Sequence, residues 1–196
     1  MTSVQLFNQI LRSRRSVFPD QFDAGKRIDD AIVREILTNA THAPDHGKSQ
    51  PWRFTVFTGA GLSRFARFQS ELYKLESGDR FKEASYIKMQ QNPLKASHIV
   101  AIGMKRTTAR QVPEVEDLIA VACAIENIYL SLAAYGLGGY LTTGGVTYLE
   151  KARSYFQLGE QDKLLGFFYM GHVAHAAPPV ARVPLEERLT WIDQAD

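Results

Sequence analysis

One cysteine, Cys123, stands in a chain of 196 residues. That excludes an internal disulfide and a cysteine metal cluster, and makes a reducing cytoplasm the default setting. An excess of charge of one sign is missing too. The chain has 23 Lys and Arg against 21 Asp and Glu, a net +2, which is too small to argue for nucleic acid or an acidic membrane as partner. The N-terminus has no continuous apolar run and becomes arginine-rich instead, so no signal peptide is expected. The most apolar stretch, Leu118 to Leu137, approaches the ~20 residues that span a bilayer. Glu126 and Asn127 sit at its middle, where a charge in lipid is costly, so it reads as a buried helix of a soluble protein.

Self-sufficient catalytic motifs are also wanting. There is no Gly-x-Ser-x-Gly elbow. Gly47-Lys-Ser49 imitates the end of a phosphate loop, but position 42 is His where that loop needs Gly, and a helix precedes it instead of a strand. The glycines from 136 to 145 do not form a G-x-G-x-x-G turn between a strand and a helix. His42 and His46 have the spacing of a helical zinc pair, yet Pro44 interrupts the helix between them and no third ligand is near; no metal is expected. Cys123 reads as a buried, inert thiol, Trp52 as core, and His172 and His175 as surface residues.

What is present is an ordinary globular composition, 45% apolar and 22% charged, in a length that suits one domain over residues 1–196 with a real core. Apolar spacing predicts a helix from Val4 to about Arg14, and a second from Asp29 or Asp30 that Pro44 stops. A strand follows over Arg53–Thr58, then surface helices over Leu62–Leu75 and Phe81–Gln91, and a buried strand over Ser97–Met104. Thr107–Val115 reads as loop. A long alanine-rich helix spans Glu116–Tyr135. Next come a short strand with a glycine turn within 136–145, a short helix over Thr147–Phe156, a strand over Lys163–Val173 and a proline-punctuated tail. Few strands alternating with helices point to a layered α+β or α/β protein.

Two polar segments are left as sites for chemistry. Arg12-Ser-Arg-Arg-Ser16 offers guanidinium forks and hydroxyls to phosphate or carbonyl oxygens, or is a solvated helix end whose cations favour the C-terminal dipole. The loop Ala40-Thr-His-Ala-Pro-Asp-His-Gly-Lys-Ser-Gln-Pro-Trp52 is a sharply turned polar connection between buried elements. Gln50 within it serves either the loop or a ligand. The glycines at 138–145 admit close approach of a flat ligand, or serve only the turn.

In their order along the chain, Arg14-Arg-Ser16, Ala43-Pro-Asp-His-Gly-Lys-Ser-Gln-Pro-Trp-Arg-Phe54, the alanine-rich helix entering Gly136-Leu-Gly-Gly139, and Leu164-Leu-Gly-Phe-Phe-Tyr-Met-Gly-His172 resemble the nitroreductase family of flavin enzymes. The Ala-Pro-Asp-His form is most similar to its short bacterial NAD(P)H nitroreductases. The resemblance implies a three-layer α-β-α fold with a mainly antiparallel central sheet, an interdigitated homodimer, and FMN at the dimer interface. It implies that Arg14, Arg15 and Ser16 contact the flavin's phosphate, ribityl or ring oxygens. His42 and His46 would reach the FMN of the other subunit, Leu141, Thr142 and Thr143 would lie at the ring, and Ser131–Gly136 would meet the nicotinamide cofactor. Arg182 and Arg188 are candidates for the C-terminal phosphate contact of some relatives, or are solvated surface residues.

The implied activity is hydride transfer from NAD(P)H to FMN and onward, by a ping-pong mechanism, to a small-molecule acceptor such as a nitroaromatic or a quinone. No catalytic acid or base is assigned, because the cofactor carries the chemistry. Relatives have Trp-Arg-Ser or Trp-Arg-Thr where this chain has Leu141-Thr142-Thr143. That difference keeps open another flavin reaction, a dehalogenation or dehydrogenation, as well as a non-enzymatic FMN-binding protein or a cofactor-free dimer.

Overall fold

The computed structural model describes residues 1–107 and 111–193. Helix α1 (Ser3–Ser13) opens with a capping box in which Thr2 and Gln5 satisfy each other's backbone N–H groups. Helix α2 (Asp30–Ala40) is capped by Asp29. Strand β1 (Trp52–Thr58), the helix pair α3 (Ala60–Ser77) and α4 (Glu83–Gln91), and strand β2 (His98–Met104) follow. Then come α5 (Glu114–Ala134), β3 (Leu137–Thr142), α6 (Glu150–Tyr155) and β4 (Lys163–His172). The tail holds one 3-10 turn, Leu185–Glu187.

The strands form one sheet in the order β1-β2-β4-β3, and every adjacent pair is antiparallel. Strand β2 is buried along its whole length, so its alternating side chains feed two cores. Val100, Ile102 and Met104 join Phe168 and Met170 under α2 and α5. Ile99 and Ala101 join Phe167 and Tyr169 under α3, with Phe65 and Ala152 beside them. This is the three-layer α+β arrangement expected.

The differences are local. Helix α2 closes at Ala40 rather than running to Pro44, because a tight turn takes over, with Thr41 and His42 donating to the Thr38 and Asn39 carbonyls. Helix α5 begins at Glu114, earlier than its apolar pattern. The expected loop over Thr107–Val115 is thus shortened at its end, and residues 108–110 of it lie outside the described residues. The start of α5 is set by charge. Arg106 donates to the fully buried Asp117 carboxylate at 2.8 Å and to the Val112 carbonyl at 2.8 Å, while its N–H reaches Asp162 Oδ1. Cys123 is half-buried rather than buried, since Ala120 and Ala124 take the inward positions of α5. On the outer side of α5, Val115 and Ile119 are exposed, as are Val4, Phe7 and Leu11 of α1.

A second polar link joins α2 to the start of β2. A carboxylate only accepts, so His98 Nε2 carries the proton and donates to Asp30 Oδ1 at 2.8 Å. His98 Nδ1 then accepts from the Ser97 hydroxyl, whose oxygen accepts from the Ile28 N–H at 2.7 Å. Burial holds the His98 ring below the ordinary imidazole pKa, against the pull of Asp30. The native state therefore resists a proton that the unfolded chain takes up near pH 6.5. Stability should fall as pH is lowered through that value. A urea titration should show its midpoint dropping between roughly pH 7.5 and pH 5.5, and His98→Asn should flatten that part of the curve.

Candidate functional site

The turn after α1 is held against the sheet by backbone contacts. Ser16 bridges to Gly139 in parallel fashion, and the Val17 N–H donates to the Gly139 carbonyl at 3.0 Å. Strand β3 is the last in the sheet, so this short segment extends its open edge. The approach needs glycine at two places. A Cβ on Gly138 would lie 2.7 Å from Val17 Cβ, and one on Gly139 would lie 2.5 Å from Phe168 Cε1 and 2.8 Å from the Tyr169 carbonyl oxygen. These two glycines therefore serve packing. Gly144 is different, with open space around it.

Arg14 and Arg15 go to different partners. The Arg14 guanidinium lies 4.9 Å from the centroid of the Tyr129 ring, with Glu126 at 3.9 Å. Arg15 turns back on the chain and donates to the Arg12 and Arg14 carbonyls, both at 2.7 Å. Its Nε is buried without a partner among the described residues. Both arginines line a recess of about 310 Å³ at the start of β3, bounded also by Gly136, Gly139 and Ala133. A second recess of about 220 Å³ lies at the other end of β3, floored by Tyr140, Phe167 and Tyr169, with Thr142, Gly144 and Lys88 at its side. Burial raises the pKa of the Tyr169 hydroxyl well above its usual value, so it stays a neutral phenol.

Of Leu141, Thr142 and Thr143, Thr142 lines the second recess. Leu141 packs toward α5, while Thr142 is half-buried and Thr143 exposed. The Leu141 N–H donates to the Tyr129 hydroxyl at 2.9 Å. Gly166 of β4 lies directly alongside, where a Cβ would come 2.6 Å from the Thr142 carbonyl oxygen.

His42 and His46 lie elsewhere. His42 is exposed just beyond α2, and His46 pairs with Glu116 in the first turn of α5. Their loop leads into β1, the opposite edge strand, with β2 and β4 between it and β3. Arg14 meets Glu126, ten residues further along α5 than Glu116, roughly 15 Å at the helical rise. One chain thus brings Arg14, Arg15, Ser16 and Leu141–Thr143 together and leaves both histidines apart. The histidine loop is strained, because Lys48 and Gln50 have φ of 55° and 42°, a region that costs a non-glycine residue free energy. Asp45 accepts from the Gln50 N–H, and Arg53 donates to the Gln50 and Trp52 carbonyls. The Gln50 backbone, not its amide, is what the loop fastens, and Trp52 is buried as expected. His175 is exposed, whereas His172 is half-buried at the end of β4.

Ser131 accepts from Asn39 of α2, so the segment 131–136 ends α5 beside the end of α2. Arg182 and Arg188 are exposed on the tail. Among the described residues no group of three His, Cys, Asp or Glu is arranged to hold a metal ion. Tyr129 and Lys88 escaped the sequence reading. The first lay inside a run read as core, and the second on a helix read as surface.

The chain resembles known proteins in sequence and in shape. A curated relative in Escherichia coli (strain K12), "Putative NAD(P)H nitroreductase YdjA", is 30% identical over 152 residues, which is 78% of this chain and 81% of that one. The crystal structure of a nitroreductase-like family protein from Bacillus cereus superposes with a TM-score of 0.81 at 24% identity, covering 99% of this chain and 100% of the other. The FMN-dependent nitroreductase NfnB of Mycobacterium smegmatis, solved in complex with NADPH, shares the fold at a TM-score of 0.75 and 16% identity, covering 98% and 100%. The sequence profile of the Nitroreductase family matches residues 11–172, from the end of α1 to the end of β4. The chain belongs to the nitroreductase family.

Proposed function

We propose that this chain is an FMN-dependent oxidoreductase that takes hydride from NAD(P)H and delivers it, in a ping-pong cycle, to a nitroaromatic or quinone-like acceptor. The observation that carries the reading is the pair of recesses along β3. One is lined by Arg14 and Arg15 at its start, and the other is aromatic-floored beside Thr142 at its end. An elongated ligand with an anionic head and a flat, uncharged ring fits this order of surfaces, with the two guanidinium groups at its anionic end. FMN has that form, and when bound it supplies the hydride chemistry at N5 of its ring. The protein's part is binding, orientation and electrostatics.

In this reading Arg14 and Arg15 hold the anionic head and set positive charge near it, where preorganised donors act without rearranging. Ser16 adds a hydroxyl. Leu141–Thr143 lies at the ring with the Leu141 N–H already held by the Tyr129 hydroxyl, and Gly144 leaves open space beside it. His42 and His46 complete the site from a second copy of the chain, because their own chain keeps them at the opposite sheet edge. The apolar residues exposed on α1 and α5, and on the tail at Leu185, Leu189 and Trp191, offer the surface for that copy. The name of the Escherichia coli relative and the cofactors of the Mycobacterium smegmatis enzyme support the same reading. One observation favours a narrower acceptor range: Leu141 and Thr142 bring neither an aromatic ring nor a guanidinium to the ring edge.

The purified protein should be yellow or take up FMN, and its flavin band should bleach when NADH or NADPH is added without oxygen. A band that persists under both reductants would leave a binding protein instead. Replacing Arg14 and Arg15 together with Ala should weaken FMN retention by at least about tenfold, since each charge-assisted contact is worth over 1 kcal/mol. Unchanged affinity on gel filtration would remove both from the site. Mixing Arg14→Ala and His46→Ala subunits tests the sharing. If each flavin draws on both chains, random re-pairing should restore roughly a quarter of the sites from two inactive parents, and no recovery would mean that each chain binds alone.

A further inference from the structure

Tyr129 stands between the two parts of the site. Its ring lies under the Arg14 guanidinium at 4.9 Å, and its hydroxyl accepts from the Leu141 N–H at 2.9 Å. The ring is itself fixed from below by Phe168, 4.6 Å away and steeply tilted. Glu126, one helical turn earlier on α5, flanks the same guanidinium. The Leu141 N–H needs this acceptor. The bridge to Ser16 reaches only as far as Gly139, so among the described residues no strand neighbours the outer edge of β3 beyond it. A backbone N–H left without a partner there would relax toward any other acceptor and take the strand end with it.

We infer that Tyr129 is a positioning residue. Through one face it aims Arg14 at the recess, and through its hydroxyl it fixes the height of Leu141–Thr143, so that anion-binding and ring-binding parts keep one spacing. This rests on the flavin reading above. Two substitutions separate the two roles. Tyr129→Phe keeps the ring under Arg14 and loses only the hydroxyl. Tyr129→Leu loses both.

The experiment measures FMN affinity by fluorescence quenching for wild type, Tyr129→Phe, Tyr129→Leu, Arg14→Ala and the Tyr129→Leu/Arg14→Ala double variant. Amide hydrogen exchange over residues 137–143 is followed in the flavin-free protein. Tyr129→Leu should weaken FMN about fivefold, the worth of a cation–π contact, and should cost nothing further once Arg14 is Ala. Tyr129→Phe should keep wild-type affinity while the Leu141 amide exchanges at least about tenfold faster and the rate of flavin reduction by NADPH falls. Additive losses of affinity, or a Leu141 amide that exchanges as before in Tyr129→Phe, would overturn the inference and leave the flavin reading standing. A wild-type protein that takes up no FMN would overturn both.

Discussion

The close approach of three chain segments at Gly138 and Gly139 is the constraint on which the site depends. A side chain at either position would drive into Val17, or into Phe168 and the β4 backbone. With hydrogens there instead, the segment after α1 can lie on β3, and Ser16 and Val17 can pair with its edge. The two arginines ahead of Ser16 are thereby delivered to the start of β3. A larger residue would displace the whole turn rather than one atom, because the atoms in the way belong to the core and the backbone.

Helix α5 is the second organiser. It closes one core with Ala120, Ala124, Ile128 and Leu132, and its small residues allow it to lie near the sheet. It also meets both candidate segments, His46 through Glu116 and Arg14 through Glu126 and Tyr129. A helix is stiff over this length, so the distance between the two segments within a chain is fixed by the helical rise. The buried Arg106–Asp117 pair sets where that ruler begins. Removing one partner of such a pair leaves a charge buried and uncompensated. The pair therefore protects the register of α5, whatever its net contribution to stability.

The loop between α2 and β1 is ordered at a cost. Lys48 and Gln50 hold positive φ, and the clamps from Asp45 and Arg53 keep them there. Strain of this kind persists where surrounding contacts over-determine the backbone. It holds the loop that carries His46 to Glu116 of α5.

Much of the fold was legible in the residues. Apolar spacing located every helix and strand of the sheet to within a few positions, because burial of one face imposes a period on the sequence. The family motifs singled out Arg14, Arg15, Ser16, His42, His46 and Leu141–Thr143, and Trp52 beside Pro51 read as core, where the fold buries it. Boundaries set by hydrogen bonds and charge were not legible, as at Ala40, where a turn supersedes Pro44, and at Glu114, where Arg106 and Asp117 extend α5. The resemblance assigned the two histidines to the other subunit's flavin, but no residue pattern showed that the arginines lie at one sheet edge and the histidines at the other. Strand order depends on which pairs of strands bury the most surface, and no local pattern records it. Tyr129 makes the same point for one residue. Its apolar neighbours mark it as core, and only the folded chain puts its ring under Arg14 and its hydroxyl on the Leu141 N–H, because those partners come from segments far away in sequence.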